Sequence, residues 1–390
     1  MVEADFKYII DTFFALFSMV LIIFMVPGFA MLEAGLVRTK NVTSVLTINV
    51  MIYTIASLAF LLIGYSLAFG SWENDNMSIF AAFLFQMAFV GKTINIMSGG
   101  VSERVRIIPL AIFAVIMGGF IYPTVVNISW GADMIAGTFL DLDMYDLAGS
   151  TVIHSTGGWA LLAAIFIMGP RKGRYVKGRV RVIPASNIPL VVLGAFLLWI
   201  GWFGFNGGSV GSISSVENAN AVAKTIMNTN TAGLAGALIA GIIMYMRYKL
   251  FDITMILNGA LGGLVAITAG PDLYDMYTPI LIGAIGGALV VFAVPIFDKL
   301  QLDDPVGALS VHLVNGIWGT LAVGIFTSTS FMAQLKGVVV VAIFAFISSY
   351  IVLYLINKIS PFRAEDDEQQ EGMDVNECGV EAYPEFKRAI

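Results

Sequence analysis

Apolar stretches long enough to cross a bilayer follow one another along this chain, and they restrict its fold more than anything else in the sequence. A helix spanning the ~30 Å hydrocarbon core needs about 20 predominantly apolar residues. By that measure there are about eleven spans, with limits near 8–31, 42–69, 78–100, 104–126, 147–168, 186–207, 219–246, 252–270, 278–297, 305–327 and 332–357. Hydrophobic residues make up 58% of the chain and charged residues 12%, a balance that a domain with a polar surface does not have. The expectation is an all-α, multi-pass protein of the cell membrane. Glycine-rich runs such as GALGGLV from Gly259 and GAIGGALVV from Gly283 fit helices packed backbone to backbone rather than phosphate-binding loops.

Charge orients the spans. Basic residues gather after every odd-numbered span: Arg38 and Lys40; Arg104 and Arg106; Arg171, Lys172, Arg174, Lys177, Arg179 and Arg181; Arg247 and Lys249; Lys299. The intervening loops are acidic or neutral. The positive-inside rule then places the N-terminus outside and the C-terminus in the cytoplasm. The formal net charge of −6 resides wholly beyond residue 360, where nine acidic residues face Arg363, Lys387 and Arg388. We therefore expect a transmembrane domain over 1–360 and an acidic cytoplasmic regulatory tail over 361–390. No basic stripe suits nucleic acid, and the only cysteine, Cys378, rules out an internal disulfide or a Cys-rich metal site. Glu3 and Asp5 precede the first apolar run where a signal peptide would be basic, so a cleavable leader is not expected. Nothing calls for a cofactor.

The chain's two histidines both fall inside spans, and the segments around them match. Asp-x-x-Gly-x-x-x-(Ile/Val)-His-x-x-x-Gly reads Asp146, Gly149, Ile153, His154, Gly158 in the fifth span and Asp304, Gly307, Val311, His312, Gly316 in the tenth. Five spans is an odd number, so the second unit enters the membrane upside down. This is an inverted five-helix repeat plus one extra helix, an architecture that places substrate sites near mid-membrane at the repeat interface. An ionisable residue in a bilayer is costly unless it faces protein or water, which makes each His a candidate functional group. The plainer reading is a hydrogen bond between helices, typically worth about 1 kcal/mol. Recurrence at matching positions favours function. The openings of the two halves, PGFAMLEAGLV from Pro27 and GWFGFNGGSV from Gly201, match more weakly.

Aromatic residues cluster nearby: Phe85 and Phe89 one helical turn apart, then Trp202, Phe203 and Phe205 ahead of Asn206 and Ser209. With these residues the chain resembles the ammonium transporters of the Amt/Mep class, with Rhesus proteins as distant relatives. The resemblance rests on PGFAMLEAGLVRTKNV, FQMAFVGKTINIMSGGVSERVR, DLAGSTVIH, WIGWFGFNGGS and DDPVGALSVHLVNGIWGTLAVGIF, and it extends over nearly the whole chain. It implies a homotrimer with one narrow apolar pore per subunit. His154 and His312 correspond to twin pore histidines, Phe89 and Phe205 to a stacked aromatic gate, and Ser209 to the hydroxyl of the outer recruitment site; Trp202, an aromatic residue near the candidate pore positions, is counted with the substrate-binding residues. Asp146 corresponds to the acid that supports the site from the outer end of the fifth helix. The tail resembles a segment that rigidifies the pore beside the docking surface for cytoplasmic PII-type signalling proteins. Membrane lipid would surround the assembly.

The chain departs from the family pattern in three places. Met134 stands where many members carry a vestibule Trp, Cys378 where a His is common, and Lys92 inside the third span, where it is expected to snorkel or to form a salt bridge away from the pore. Alternatives to ammonium transport are a passive channel for another small neutral solute or a membrane ammonium sensor. An intramembrane enzyme would need a motif such as HExxH or GxGD, which the chain lacks. Arg171 to Arg181 and Arg363 are the expected partners of the acidic tail, helped by apolar contacts from Tyr383 and Phe386.

Overall fold

The computed structural model describes residues 2–131 and 142–386. Among them, ten helices are long and apolar enough to cross a membrane: Glu3–Leu36, Thr39–Phe69, Ile79–Val101, Ile107–Trp130, Ser150–Met168, Ile188–Gly208, Val216–Tyr248, Thr278–Lys299, Leu309–Phe326 and Phe331–Ile359. A shorter apolar helix, Ile253–Ile267, stands between the seventh and ninth of the expected spans and is counted here as the eighth. It ends before residue 270 because Pro271 cannot continue a helix. The turn that follows is still used: the carbonyls of Thr268 and Ala269 accept the amides of Ala148 and Leu147, which tie down the approach to the fifth span. The first span breaks at Phe24, just ahead of Pro27, whose missing N–H removes one helical bond.

The repeat motif is explained position by position. Asp146 accepts the amides of Gly149, Ser150, Thr151 and Val152 at 2.8–3.0 Å. Asp304 does the same for Val306, Gly307 and Leu309 at 2.7–3.2 Å. These carboxylates satisfy N–H groups that a helix start leaves without partners. Gly149 (φ 100°) and Gly307 (φ 82°) take the left-handed turn that aims the chain into each helix. The histidines then sit in π-helical turns, Ser150–Ser155 and Leu309–Val314, the local widening that often accompanies functional sites. In each turn a side chain five residues on repairs a freed carbonyl: Thr156 bonds Thr151, and Asn315 bonds Ser310. The closing glycines mark the crossing of the two spans. A Cβ on Gly158 would strike Leu313, and one on Gly316 would strike Ser150 and Ser155.

The first and sixth spans, which open the two halves, also cross on glycine. A Cβ on Gly28 would press on Leu198, and one on Gly194 would collide with the backbone of Leu32. The two halves therefore meet along the histidine helices and along these leading helices, and the histidines sit in the seam.

The tail is built onto the face that carries the basic loops. Residues 362–364 pair with the loop after the third span: Arg106 N–H donates to Phe362 and Ala364 N–H to Arg104. Beyond them, a short helix, Asp366–Glu371, leads to Asp374, which is fully buried and accepts the amide of Ser44 at 2.8 Å. Arg106 pairs with Glu368 at 2.5 Å, and Lys40 donates to the carbonyls of Gln369 and Gln370. Tyr383 packs against Val37, Val42 and Val45, whereas the side chain of Phe386 lies outside the described residues. The arginine run behaves differently from expectation. Arg171 turns inward to Asp303 (2.8 Å) and Glu103 (3.1 Å), and Arg174 to Asp298 (2.6 Å), leaving Lys172 as the member of that run that reaches the tail. Burial would push Glu103 and Asp303 toward the neutral form, yet the Arg171 charge, with Arg38 and Arg104 beside it, holds both carboxyls below their usual range.

Candidate functional site

His154 and His312 lie side by side in the interior with their rings nearly parallel, 5.1 Å between centroids and 17° between planes. Their Nδ1 atoms are 3.1 Å apart. One Nδ1 must donate and the other accept, so when both rings are neutral one Nε2 carries a proton and the other has a free lone pair. His154 also packs against Trp202 at 5.2 Å and Phe205 at 5.5 Å, and its Nε2 is buried with no hydrogen-bond partner. His312 packs against Phe29 at 6.0 Å. Trp202 is itself fixed by donating to Thr268 Oγ1 at 2.9 Å.

Cavities flank the pair. On the side away from the tail, an open cavity of about 540 Å³ is lined by Phe85, Gln86, Phe89, Trp130, Gly131 and Ser209, among others. Phe89 and Phe205 meet between it and His154, both buried, with centroids 4.6 Å apart at 70°. The contact is edge to face rather than the stacked pair expected from sequence, an arrangement that the ring quadrupoles favour. Ser209 Oγ donates to the Phe205 carbonyl at 2.8 Å. Its proton is thereby committed, and the oxygen offers the cavity an acceptor. Trp130 donates to the Asp146 carbonyl at 2.7 Å and sets its ring 6.4 Å from Phe89. On the tail side, a small cavity reaches His312, and a larger one of about 170 Å³ lies among Arg171, Arg174, Asp298, Asp304 and Ser310.

With this geometry in view, residues 13–383 match the sequence model of the Ammonium Transporter Family. The chain belongs to that family. Among its relatives, a putative ammonium transporter of Synechocystis is 35% identical, over 96% of this chain and 90% of the relative. Ammonium transporter Amt2 of Archaeoglobus fulgidus is 33% identical, over 97% of this chain and 89% of the relative. Among solved structures, one described as a sensor Amt protein superposes with a TM-score of 0.90 at 30% identity, covering 96% of this chain and 99% of that one. Mep2 of Saccharomyces cerevisiae, at 24% identity and TM-score 0.83 over 93% of this chain and 89% of its own, shares the fold.

In this ammonium transporter family member the residues singled out from sequence separate into groups. His154, His312, Phe89, Phe205 and Trp202 form one continuous aromatic column, and Ser209 borders the open cavity above it. Asp146 is a capping group, with both oxygens occupied by backbone amides. Met134 lies outside the described residues. Lys92 departs from expectation: it neither snorkels nor forms an ion pair among the described residues. Its Nζ is buried without a hydrogen bond, 5.2 Å from the centre of the Tyr53 ring. Sequence reasoning missed Trp130, Phe29 and Glu33. Trp130 stands four residues before Met134 in the sequence WGADM, so the signal was close at hand. Phe29 and Glu33, spaced four apart in PGFAMLEAGLV, form one face of a helix and share it with the tail-side cavity.

Proposed function

We propose that this multi-pass membrane protein recruits ammonium in the cavity beside Ser209, separates a proton from it at the aromatic seal, and passes ammonia, with or without that proton, through a pore lined by His154 and His312. The face carrying the basic loops and the tail is cytoplasmic in this reading. The working unit is a homotrimer in lipid, and the acidic tail is a regulatory segment that meets a PII-type signalling protein. The protein is a transporter and not an enzyme, in line with relatives that are named ammonium transporters.

The observation that carries the proposal is the histidine pair, joined through Nδ1 beneath a closed aromatic contact. Aromatic faces attract a small cation by ~0.5–2 kcal/mol, and the Ser209 oxygen accepts an N–H bond that a spherical ion cannot supply. Past Phe89 and Phe205 the surroundings are apolar, where an unpaired charge is very costly. Leaving the proton behind removes that cost. Imidazole is the side chain suited to exchange protons near neutral pH, and the shared Nδ1 proton keeps a basic Nε2 available on one ring. Asp146 acts from outside this path, holding the start of the His154 helix.

The deciding experiment is an ammonium pulse on proteoliposomes, with current and internal pH recorded together. Ammonium-dependent flux is expected, with loss of nearly all of it in His154→Ala and His312→Ala. Histidine variants that conduct like the parent would remove the mechanism. The sensor reading has support in the likeness to the sensor Amt protein, and it predicts ammonium binding without flux in the same vesicles. A channel for another neutral solute predicts flux that ammonium does not compete for.

A further inference from the structure

On the tail side of the histidines, Phe29, Glu33, Leu198, Asn258, Val311 and His312 are among the walls of a cavity of about 20 Å³. That is room for one water or one ammonia molecule. Glu33 is 1% exposed. One carboxyl oxygen accepts from Ser98 Oγ at 2.7 Å and the other from Asn49 Nδ2 at 2.8 Å, and Asn95 secures Asn49 in turn at 3.0 Å. These partners are neutral. Among the described residues Glu33 has no ion pair: Arg38 and Arg171 are committed to Glu103 and Asp303, and the nearby acid Asp304 is occupied by the amides that it caps. Lys92, on the same helix as Asn95 and Ser98, rests against Tyr53. His312 is the titratable group that shares the cavity.

The other half of the repeat makes the carboxyl conspicuous. Phe29 and Glu33 are four residues apart on the first span, as Trp202 and Asn206 are on the sixth, and in each half the aromatic packs on the other half's histidine. The polar residue then bonds the next span, Glu33 to Asn49 and Asn206 to Thr229. A neutral amide is sufficient for that structural duty in the sixth span. An acid in the first adds the capacity to bind a proton.

We propose that Glu33 is the proton-holding group on the inner side of the histidine pair. The inference rests on the proton-separating reading above. A proton leaves the His312 imidazolium, whose N–H bond breaks and returns its electron pair to the ring, and passes across one water to form an O–H bond on the Glu33 carboxylate. The carboxylic acid then gives that proton to the lone pair of an arriving ammonia, forming ammonium, or to water, forming hydronium. The carboxylate is restored, with one proton received and one delivered.

Glu33→Gln keeps the shape and can still accept one bond, but it cannot carry the proton. In proteoliposomes given an ammonium pulse, its current is expected to fall at least about tenfold, whereas Glu33→Asp retains most of it. An infrared difference spectrum of the parent on adding ammonium is expected to show a carboxylic C=O band that shifts in Glu33→Asp and vanishes in Glu33→Gln. A Glu33→Gln current equal to the parent's overturns the assignment while leaving the histidine mechanism intact, provided that His154→Ala and His312→Ala have lost theirs. A parent that moves ammonia but no charge on the pulse overturns the Glu33 assignment and leaves the proton-free form of the reading above, whereas a parent with no ammonium-dependent flux at all overturns both. If Glu33→Gln does not assemble, the infrared comparison of parent and Glu33→Asp decides, and absence of an ammonium-dependent carboxyl band sinks the proposal.

Discussion

In the fifth span, Asp146 gathers four amides, Gly149 turns left-handed, and His154 packs against its twin and the rings of Trp202 and Phe205. In the tenth, Asp304 gathers three, Gly307 makes the same turn, and His312 meets Phe29 and opens toward Glu33. The backbones of the two helices follow one rule and their histidines face different surroundings. The duplicated motif dictates capping, turning and crossing, which are local requirements of a helix that must start inside a protein. The leading helix of each half then decides what the imidazole touches. One half is sealed by aromatic rings, and the other offers polar groups beside a small cavity.

The largest effect that could break this equivalence lies in the caps. Asp146→Ala strands four buried N–H groups, and so costs more than the ~1 kcal/mol of an ordinary capping residue. We expect the Tm in detergent to fall by several degrees, with less folded protein recovered. Asp304→Ala should be close behind, and Asp146→Asn should lie between Asp146→Ala and the parent. Normal folding of Asp146→Ala with only a weakened apparent affinity would mean that the acid serves ammonium directly.

Phe205→Ala and Phe29→Ala probe the difference between the two surroundings. Each removes a buried ring, worth about 3–5 kcal/mol of packing. Only Phe205→Ala takes away one side of the edge-to-face contact above His154, and it alone should let water or other ions leak through the vesicles. Equal leaks, or none, would dismantle the seal. A smaller change is expected from Ser209→Ala, where loss of one accepted hydrogen bond, ~1 kcal/mol, should raise the half-saturating ammonium concentration several-fold with the maximal flux kept. A lowered maximum at unchanged half-saturation would place Ser209 in the conduction step instead.

Truncation after Phe362 is expected to be the mildest change to the pore, since it removes contacts far from the histidines. The protein should assemble, with altered flux and no response to a PII-type partner. A pH series refines the point. Its bond to Arg106 holds the Glu368 carboxyl below its usual range, so this tie contributes fully above that range and is lost as pH falls through the lowered value. Tail release measured by limited proteolysis should therefore increase on acidification. Release that ignores pH would assign the docking to buried contacts such as Asp374 with Ser44.

Much of this was legible without coordinates, because it depends on neighbours along the chain. Span length follows from apolar runs and the bilayer's thickness, and the inverted repeat from an odd number of spans between two copies of one motif. Asp146 could be read as a capping acid because its partners lie three to six residues away. What escaped was long-range choice among chemically equivalent partners. Arg171 could have met any of the nine tail acids, yet it pairs with Glu103 and Asp303, which the folded loops bring to it. Lys92 looked like a residue that would reach water or a carboxylate, but the packing of the second and third spans encloses it against Tyr53. The angle between Phe89 and Phe205 depends on how the third and sixth helices are rotated about their own axes. Glu33 belonged to a recognised motif, and only the crossing of the first, third and tenth spans turns it toward a cavity shared with His312. By itself the sequence determined the membrane class, the approximate number of apolar helices and the kinship of the two histidine helices, since hydrophobic length and capping act within a helix. The tertiary structure alone decided which side chains meet in the seam, because that depends on rigid helices crossing at glycine contacts tens to hundreds of residues apart.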